Sequence, residues 1–376
     1  MHTQRPAIEL QQLLARDLDE ICANLQTEFA AMSGARLLVT GGGGFLGYYL
    51  VQAPLRWNAT HAGAPPIEVV VYDNYLRGVP EWLEALRGVP GLTLRRHDMT
   101  EPLPHDIGAF EYIVHAAGIA SPIYYRAQPL KCIDANITGL RNLLDHAVRQ
   151  RAAGRPVRGM LFYSSSEIYG DPAADAIPTP ETYRGNVSCT GPRACYDESK
   201  RFGETLCVTY ARHEQVPVSV ARPFNNYGPG LKITDGRVLP DFARDVLAGR
   251  DIVILSDGSP RRTFCYATDA ISGYFKVLVR GRAGEAYNIG IDRPEISIAE
   301  LARLTVQAAA ELFGYRGTVV LGESTEADYL VDNPNRRCPM IDKARTELGY
   351  RPQVALEDGI RRSLAWYAHH RSAVAA

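Results

Sequence analysis

The segment Arg36-Leu37-Leu38-Val39-Thr40 runs directly into Gly41-Gly42-Gly43-Gly44-Phe45-Leu46-Gly47. A short apolar strand that stops on glycines at three-residue spacing and restarts as a helix (48–52) admits few folds. Gly41 reads as the tight turn, Gly44 as the point where backbone N–H groups approach a pyrophosphate, and Gly47 as the close contact of helix with strand. Phe45 and Leu46 fall where that helix begins, with its free amides facing the phosphates. The second strand-like run ends at Tyr72-Asp73-Asn74, and Asp73 is placed to accept both hydroxyls of an adenosine ribose. Its carboxylate repels a 2′-phosphate, so NAD is the expected cofactor rather than NADP; Arg77, four residues on, softens that preference. Asp98-Met99, after the third strand, is expected beside the adenine, with a helix N-cap as the alternative for Asp98. The fourth strand runs into His115-Ala116-Ala117-Gly118, small residues over which a dinucleotide can lie flat.

The rest of the chain supplies the setting such a turn requires. Apolar runs at 36–40, 67–72, 92–95, 112–116, 160–164 and 216–221 alternate with helical segments, among them 137–149 and 197–213. Mostly continuous Val, Ile, Leu and Phe, they read as parallel strands covered on both faces. The expected fold is α/β, a doubly wound (Rossmann) parallel sheet over 35–224, to which part of 262–288 also contributes. After Pro223 the rhythm breaks into Gly/Pro/Asn-rich loops (225–230, 256–260) and shorter helices (240–248, 298–313). Residues 225–376 are therefore expected to form mainly a smaller, partly interleaved substrate lobe over the carboxyl ends of the strands. Residues 1–34 stand apart as an N-terminal helical extension. Ile8, Leu10, Leu13, Leu14, Leu18, Ile21, Cys22, Leu25 and Phe29 recur at three- and four-residue spacing, an amphipathic pattern that must dock on the sheet domain or on a partner subunit.

Tyr196 and Lys200 lie one helical turn apart, so both side chains leave the same helix face. A free phenol titrates near pH ~10 and is a poor base at neutrality. A neighbouring ammonium and a positively charged nicotinamide bring it into working range, and Lys200 is also placed to bind the nicotinamide ribose. The fifth strand ends at Tyr163-Ser164-Ser165-Ser166-Glu167, at the interval before Tyr196 that this fold uses. Ser165 can hydrogen-bond the reacting hydroxyl, and Ser164 lies at the cofactor edge. Glu167 adds a carboxylate suited to acid–base work next to a new ketone, with a cap for the following turn as its structural alternative. The chemistry expected is oxidation of an alcohol by proton removal at Tyr196 and hydride loss from carbon.

Composition narrows the class further. The 376 residues are 46% hydrophobic, enough for one large core or two smaller ones, and formal net charge is −1. No global field would recruit nucleic acid or an anionic membrane, and neither partner is expected. No apolar run approaches a membrane span, and the first residues lack the pattern of a signal peptide. Seven scattered cysteines show no zinc spacing, which suits reduced thiols in a cytoplasmic enzyme with no metal.

Several longer stretches carry a family resemblance: Ala120-Ser121-Pro122 with Tyr125, the run 164–172, and Gly191-Pro192-Arg193-Ala194-Cys195-Tyr196-Asp197-Glu198-Ser199-Lys200. Others are Ala221-Arg222-Pro223-Phe224-Asn225-Asn226-Tyr227-Gly228-Pro229, Asp235-Gly236-Arg237, Arg262-Thr263-Phe264-Cys265-Tyr266 and Asn333-Pro334-Asn335-Arg336-Arg337. Over about 35–367 the chain resembles the extended short-chain dehydrogenase/reductase superfamily in its nucleotide-sugar branch, with UDP-glucuronate decarboxylases (UDP-xylose synthases) nearest. The resemblance implies NAD as cofactor and a nucleotide-diphosphate sugar as substrate; a homodimer is also expected. The resemblance also implies Tyr196 as base with Lys200 beside it, and Ser165 and Glu167 beside the sugar; Ser166, between those two, is a further catalytic candidate. Ser121, Tyr125, Asn225, Arg237, Arg262 and Arg337 are implied on the substrate. Departures are Ser165 for the usual Thr, Gly118-Ile119 for Ser-Pro, and Gly230 where an arginine is common. A nucleotide-sugar 4,6-dehydratase, a 4-epimerase and a catalytically silent NAD-binding scaffold stay open as alternatives.

Overall fold

A computed structural model describes residues 4–323, 331 and 334–370, with side chains from residue 12 onward; Ile8, Leu10 and Asn333 of the patterns above lie outside these limits. Six strands, β1 (Arg36–Thr40), β2 (Glu68–Asp73), β3 (Leu92–Arg96), β4 (Tyr112–His115), β5 (Gly159–Tyr163) and β6 (Val218–Pro223), follow the apolar runs. The strand Ala286–Ile289 joins them as a seventh, beside β6. All pairings in this sheet are parallel, in the order 3-2-1-4-5-6 with Ala286–Ile289 outermost. Strand order reverses between β1 and β4, and in such sheets the crevice above that point receives ligand.

The alternating side chains of β1 explain why both faces must be covered. Leu37 and Val39 enter one buried cluster with Tyr49, Trp57, Phe275 and Phe29. Leu38 enters the other, with Leu140, Leu144, Phe162 and Cys207. The chain begins with α1 (Gln4–Asn24) and α2 (Gln26–Met32); α3 (Gly47–Thr60) follows β1, and α4 (Glu81–Glu84) follows β2. After β4 come α5 (Pro122–Ala127) and α6 (Pro129–Ala152), and α7 (Ala194–His213) leads to β6.

Beyond β6 the chain crosses repeatedly between the sheet and a second layer. Helix α8 (Val238–Leu247), α10 (Ile298–Phe313) and α12 (Leu356–His369) share a separate core built around Phe242, Leu301, Ala309, Leu364 and Trp366. Helix α9 (Ala267–Arg280) returns to the sheet, where Phe275 and Leu278 pack, and so does α11 (Asp342–Leu348) through Ala344 and Leu348.

The N-terminal helix docks on its own chain. Leu18, Ile21, Cys22 and Leu25 are buried against the sheet-side core. Asp17, fully buried, accepts hydrogen bonds from Tyr49 on α3, from Tyr266 at 2.8 Å and from Arg362 on α12 at 2.6 Å. Arg362 also pairs with Glu20 and Asp358, each at 2.7 Å. Burial raises the pKa of Asp17, while the phenols and Arg362 oppose that rise.

Candidate active site

A cavity of about 940 Å³ opens at the carboxyl ends of the strands, bounded by the loops after β1, β2, β4 and β5 and by 223–237. Its cofactor end is built from close backbone approaches. Gly41 has φ +72°, and a Cβ there would stand 2.6 Å from the backbone of Ala117. A Cβ on Gly47 would come within 2.1 Å of the Gly42 carbonyl, so only glycine lets α3 start directly on the turn. Gly44, Phe45 and Leu46 therefore line the cavity at the amino end of α3, where amides without intrahelical partners favour phosphate.

Asp73 accepts from the backbone N–H of Gly43 at 2.8 Å and of Tyr75 at 2.6 Å. Burial raises its pKa, against the pull of those two bonds. Asn74 donates to Asp98 at 2.9 Å, and Asp98 accepts from Thr100 N–H at 3.0 Å, so Asp98 holds its own turn while facing the cavity. Burial acts to raise the Asp98 pKa, but the Asn74 and Thr100 bonds win and lower it. Met99, Ala116 and Ala117 line the same end. A glycine cradle at a helix start, a carboxylate at the second strand and an alanine floor fit a dinucleotide such as NAD.

At the other end stands the pair on α7. The Lys200 ammonium is 5% exposed and donates to the Tyr163 carbonyl at 2.7 Å, with its Nζ 5.7 Å from the centre of the Tyr196 ring. Burial lowers its pKa to about 8. Burial pushes the Tyr196 phenol up to about 12, opposed by a hydrogen bond from Ser165 and by the charge of Arg237. The Ser165 hydroxyl also accepts from the Glu167 N–H at 3.1 Å, so the turn is capped by Ser165 rather than by the Glu167 side chain. His115, behind the floor, is bonded to Thr40 at 2.8 Å; burial lowers its pKa to about 3 and keeps it neutral.

The carboxylate of Glu167 is held from both sides, one oxygen by Arg193 and the other by Arg337. Glu167 and Arg193 line the cavity, as do Ser166, Ser121, Tyr125, Asn225 and Arg237. Ser164 contributes backbone there, for its hydroxyl turns to Glu204 at 2.5 Å, where Glu204 forms a two-pronged pair with Arg222. Ser121 donates to the Asp235 carbonyl at 2.8 Å, and Arg237 pairs with the Asp235 carboxylate at 3.1 Å. Asn225, at φ +42°, uses its amide nitrogen on the Thr263 carbonyl at 3.0 Å.

Two of the arginines implied by resemblance do not reach the cavity wall. Arg337 is buried behind Glu167, where burial lowers its pKa to about 9. Arg262 donates to the backbone carbonyls of Arg261, Pro334 and Asn335, and so binds protein rather than the cavity. Conversely, the structure brings to the site Arg193 and Asn136, which the motifs do not single out. Arg193 lies three residues before Tyr196, which puts it one turn away. Asn136 is fully buried and donates to Ser199 at 2.9 Å, while a Cβ on Gly118 would stand 2.8 Å from its Oδ1 and 3.5 Å from Lys200 Nζ. A polar residue inside the apolar stripe Cys132, Asn136, Gly139, Leu140 and Leu143 of α6 was the available signal.

The NAD dependent epimerase/dehydratase family matches residues 37–290, spanning every strand of the sheet from Leu37 of β1 to the outermost. The chain belongs to this family. UDP-glucuronic acid decarboxylase 3 of Arabidopsis thaliana is 38% identical over 325 residues, covering 86% of each chain. UDP-glucuronic acid decarboxylase 1 of Xenopus tropicalis is 35% identical over 332 residues, 88% of this chain and 72% of that one. Among solved structures, the dTDP-glucose 4,6-dehydratase DesIV of Streptomyces venezuelae, with NAD bound, superposes with TM-score 0.75 and 28% identity, covering 90% of this chain and 98% of the other. The enzyme is thus NAD-dependent, and no helix among its described residues is long and apolar enough to cross a membrane.

Proposed function

We propose that the protein decarboxylates UDP-glucuronate, giving UDP-xylose or the corresponding 4-keto pentose. The reading rests on similarity to UDP-glucuronic acid decarboxylases over 86–87% of the chain. It fits a sugar end where Glu167 sits between Arg193 and Arg337, beside Ser165 and Tyr196. Tyr196 takes the proton of the C4 hydroxyl, oriented by Ser165, and Lys200 stabilises the phenolate. Bound NAD supplies the hydride acceptor and later donor at C4. The resulting C4 ketone is β to the C6 carboxylate, so the C5–C6 bond breaks with its electron pair moving toward the ketone oxygen, and carbon dioxide leaves. The enolate is then protonated at C5, with Glu167 and its arginines the charged groups at hand. Arg193 and Arg237 supply cations on the wall for the acid and the diphosphate.

A 4,6-dehydratase is the second reading, favoured by the likeness to DesIV. In that chemistry Glu167 would remove the C5 proton and water would leave C6. Dehydratases acting on dTDP-glucose place an aspartate acid where this chain has Ser166, which favours the decarboxylase. The same proposal includes a cytoplasmic homodimer, supported by free cysteines suited to a reducing compartment and by Phe202 standing half-exposed on α7. Mass spectrometry of products from UDP-glucuronate, UDP-glucose, dTDP-glucose and GDP-mannose tests the function. Loss of carbon dioxide from the first supports it; loss of water from any hexose, or no mass change, overturns it.

A further inference from the structure

The loop after Asp73 and the loop before α8 meet across the cavity, and charges make the contact. Arg77 donates to one oxygen of Asp235 at 2.9 Å, and Lys232 reaches back to the Arg77 carbonyl at 2.6 Å. Asp235 is 2% exposed; its other oxygen pairs with Arg237 at 3.1 Å, and its carbonyl accepts from Ser121. The acceptor is therefore fixed from several sides. The Arg77 guanidinium lies over the ring of Tyr124, 4.4 Å from its centre. Its Nε and Nη2 are shut off from solvent and have no acceptor among the described residues.

A guanidinium four residues beyond the ribose-binding aspartate has the chemistry to grip a 2′-phosphate. Here it is turned to the opposite lobe. We infer that Asp235 is a determinant of cofactor choice acting from the substrate lobe: by holding Arg77 it leaves the adenosine 2′ position to Asp73 alone. Asp235 is a positioning residue, since it acts through Arg77. Removing its charge would leave Arg77 beside two other cations, Lys232 and Arg237, with only the face of Tyr124 to hold it there. Repulsion would send it out toward the ribose. This inference concerns the cofactor end and does not depend on which sugar is turned over.

Equilibrium titrations of the full chain with NAD and with NADP test it. In Asp235→Asn, the ratio of NADP to NAD dissociation constants should fall at least about fivefold, the size of a modest charge–phosphate contact. Asp235→Glu should keep the wild-type ratio, and the double variant Arg77→Met/Asp235→Asn should restore it. An unchanged ratio in Asp235→Asn, or a fall that persists without Arg77, overturns the inference. Should Asp235→Asn fail to fold, Arg77→Met decides alone. A ratio within about twofold of wild type supports a withdrawn Arg77, and a larger shift means that Arg77 already reads the 2′ position.

Discussion

The rings of Tyr125 and Tyr196 lie nearly parallel, 5.1 Å between centres and 11° between planes. Tyr125 is 1% exposed and its hydroxyl has no partner among the described residues, so its fixed contribution is the flat face against which Tyr196 rests. Geometry at the phenol is thus set by stacking and by Ser165 together, and the two can be separated by mutation.

Tyr196→Phe keeps the stack and removes only the oxygen. Turnover should fall more than tenfold, about 1.4 kcal/mol of barrier, while NAD binds as before, since a positioned general base typically contributes about a hundredfold or more. Steady-state kinetics with a parallel NAD titration check it. A variant retaining more than about a tenth of wild-type kcat removes Tyr196 as the base.

Asp73→Ala should weaken NAD binding and improve NADP relative to it, because the carboxylate that repels a 2′-phosphate is gone. The loop should also loosen, because Gly43 and Tyr75 lose their acceptor. Calorimetric titrations with both cofactors check the preference; an unaltered ratio would transfer selection to the Arg77–Asp235 contact.

Glu167→Gln preserves shape but leaves Arg193 and Arg337 facing a neutral amide. We expect substrate to bind and the first hydride transfer to proceed, with reduced nicotinamide absorbance building up and product formation strongly slowed. Stability should drop by on the order of 1–3 kcal/mol, since Arg337 is 4% exposed and keeps no carboxylate. Normal turnover in stopped-flow and product assays would assign Glu167 to the arginines alone.

Lys200 gives stability a pH dependence. Its folded pKa of about 8 lies below the ordinary 10.5, so between these values the unfolded chain binds more protons and stability rises with pH. Below about 8 the buried ammonium costs about 3 kcal/mol, the size of that shift. The stability advantage this gives Lys200→Met, offset by the Tyr163 carbonyl left without its donor, should shrink as pH climbs from 8 to 10.5. Urea unfolding of both proteins across that range checks the sign; a gap that widens with pH refutes it.

Arg362→Met strips the cation from Asp17, Glu20 and Asp358 at once. Breaking a buried pair on one side typically costs about 3–5 kcal/mol, and a loss of that size is expected in denaturant unfolding. A loss under about 1 kcal/mol would mean that Asp17 takes up a proton and rests on its two tyrosines.

The strands were readable because parallel strands covered on both faces need unbroken apolar runs, as in Val69, Val70 and Val71. The outermost strand was not, for Ala286-Tyr287-Asn288-Ile289 is short and carries a buried asparagine. Two-residue strands such as Arg261–Arg262 and Arg336–Arg337 have no sequence period at all and exist through pairing, with each other and, for Arg261–Arg262, with Ile296–Ser297. In the site, Tyr196 and Lys200 could be placed because one helix fixes their spacing. The grip of Arg337 on Glu167 joins positions 170 apart, and that of Asp235 on Arg77 joins positions 158 apart. Local pattern carries no information about such partners, so the clasp of Arg337 on Glu167 has no signal in the sequence.

The repeated crossing of the chain after β6 limits how such an enzyme can be diversified. Residues that build the second layer come in separate blocks, interrupted by α9 and Ala286–Ile289 and again by α11, all of which belong to the sheet. No single cassette can be exchanged to transplant a new sugar preference. A chimera has to replace at least two stretches while leaving Phe275, Leu278 and Leu348 to their inherited packing, so small changes in loops are the easier route to a new substrate.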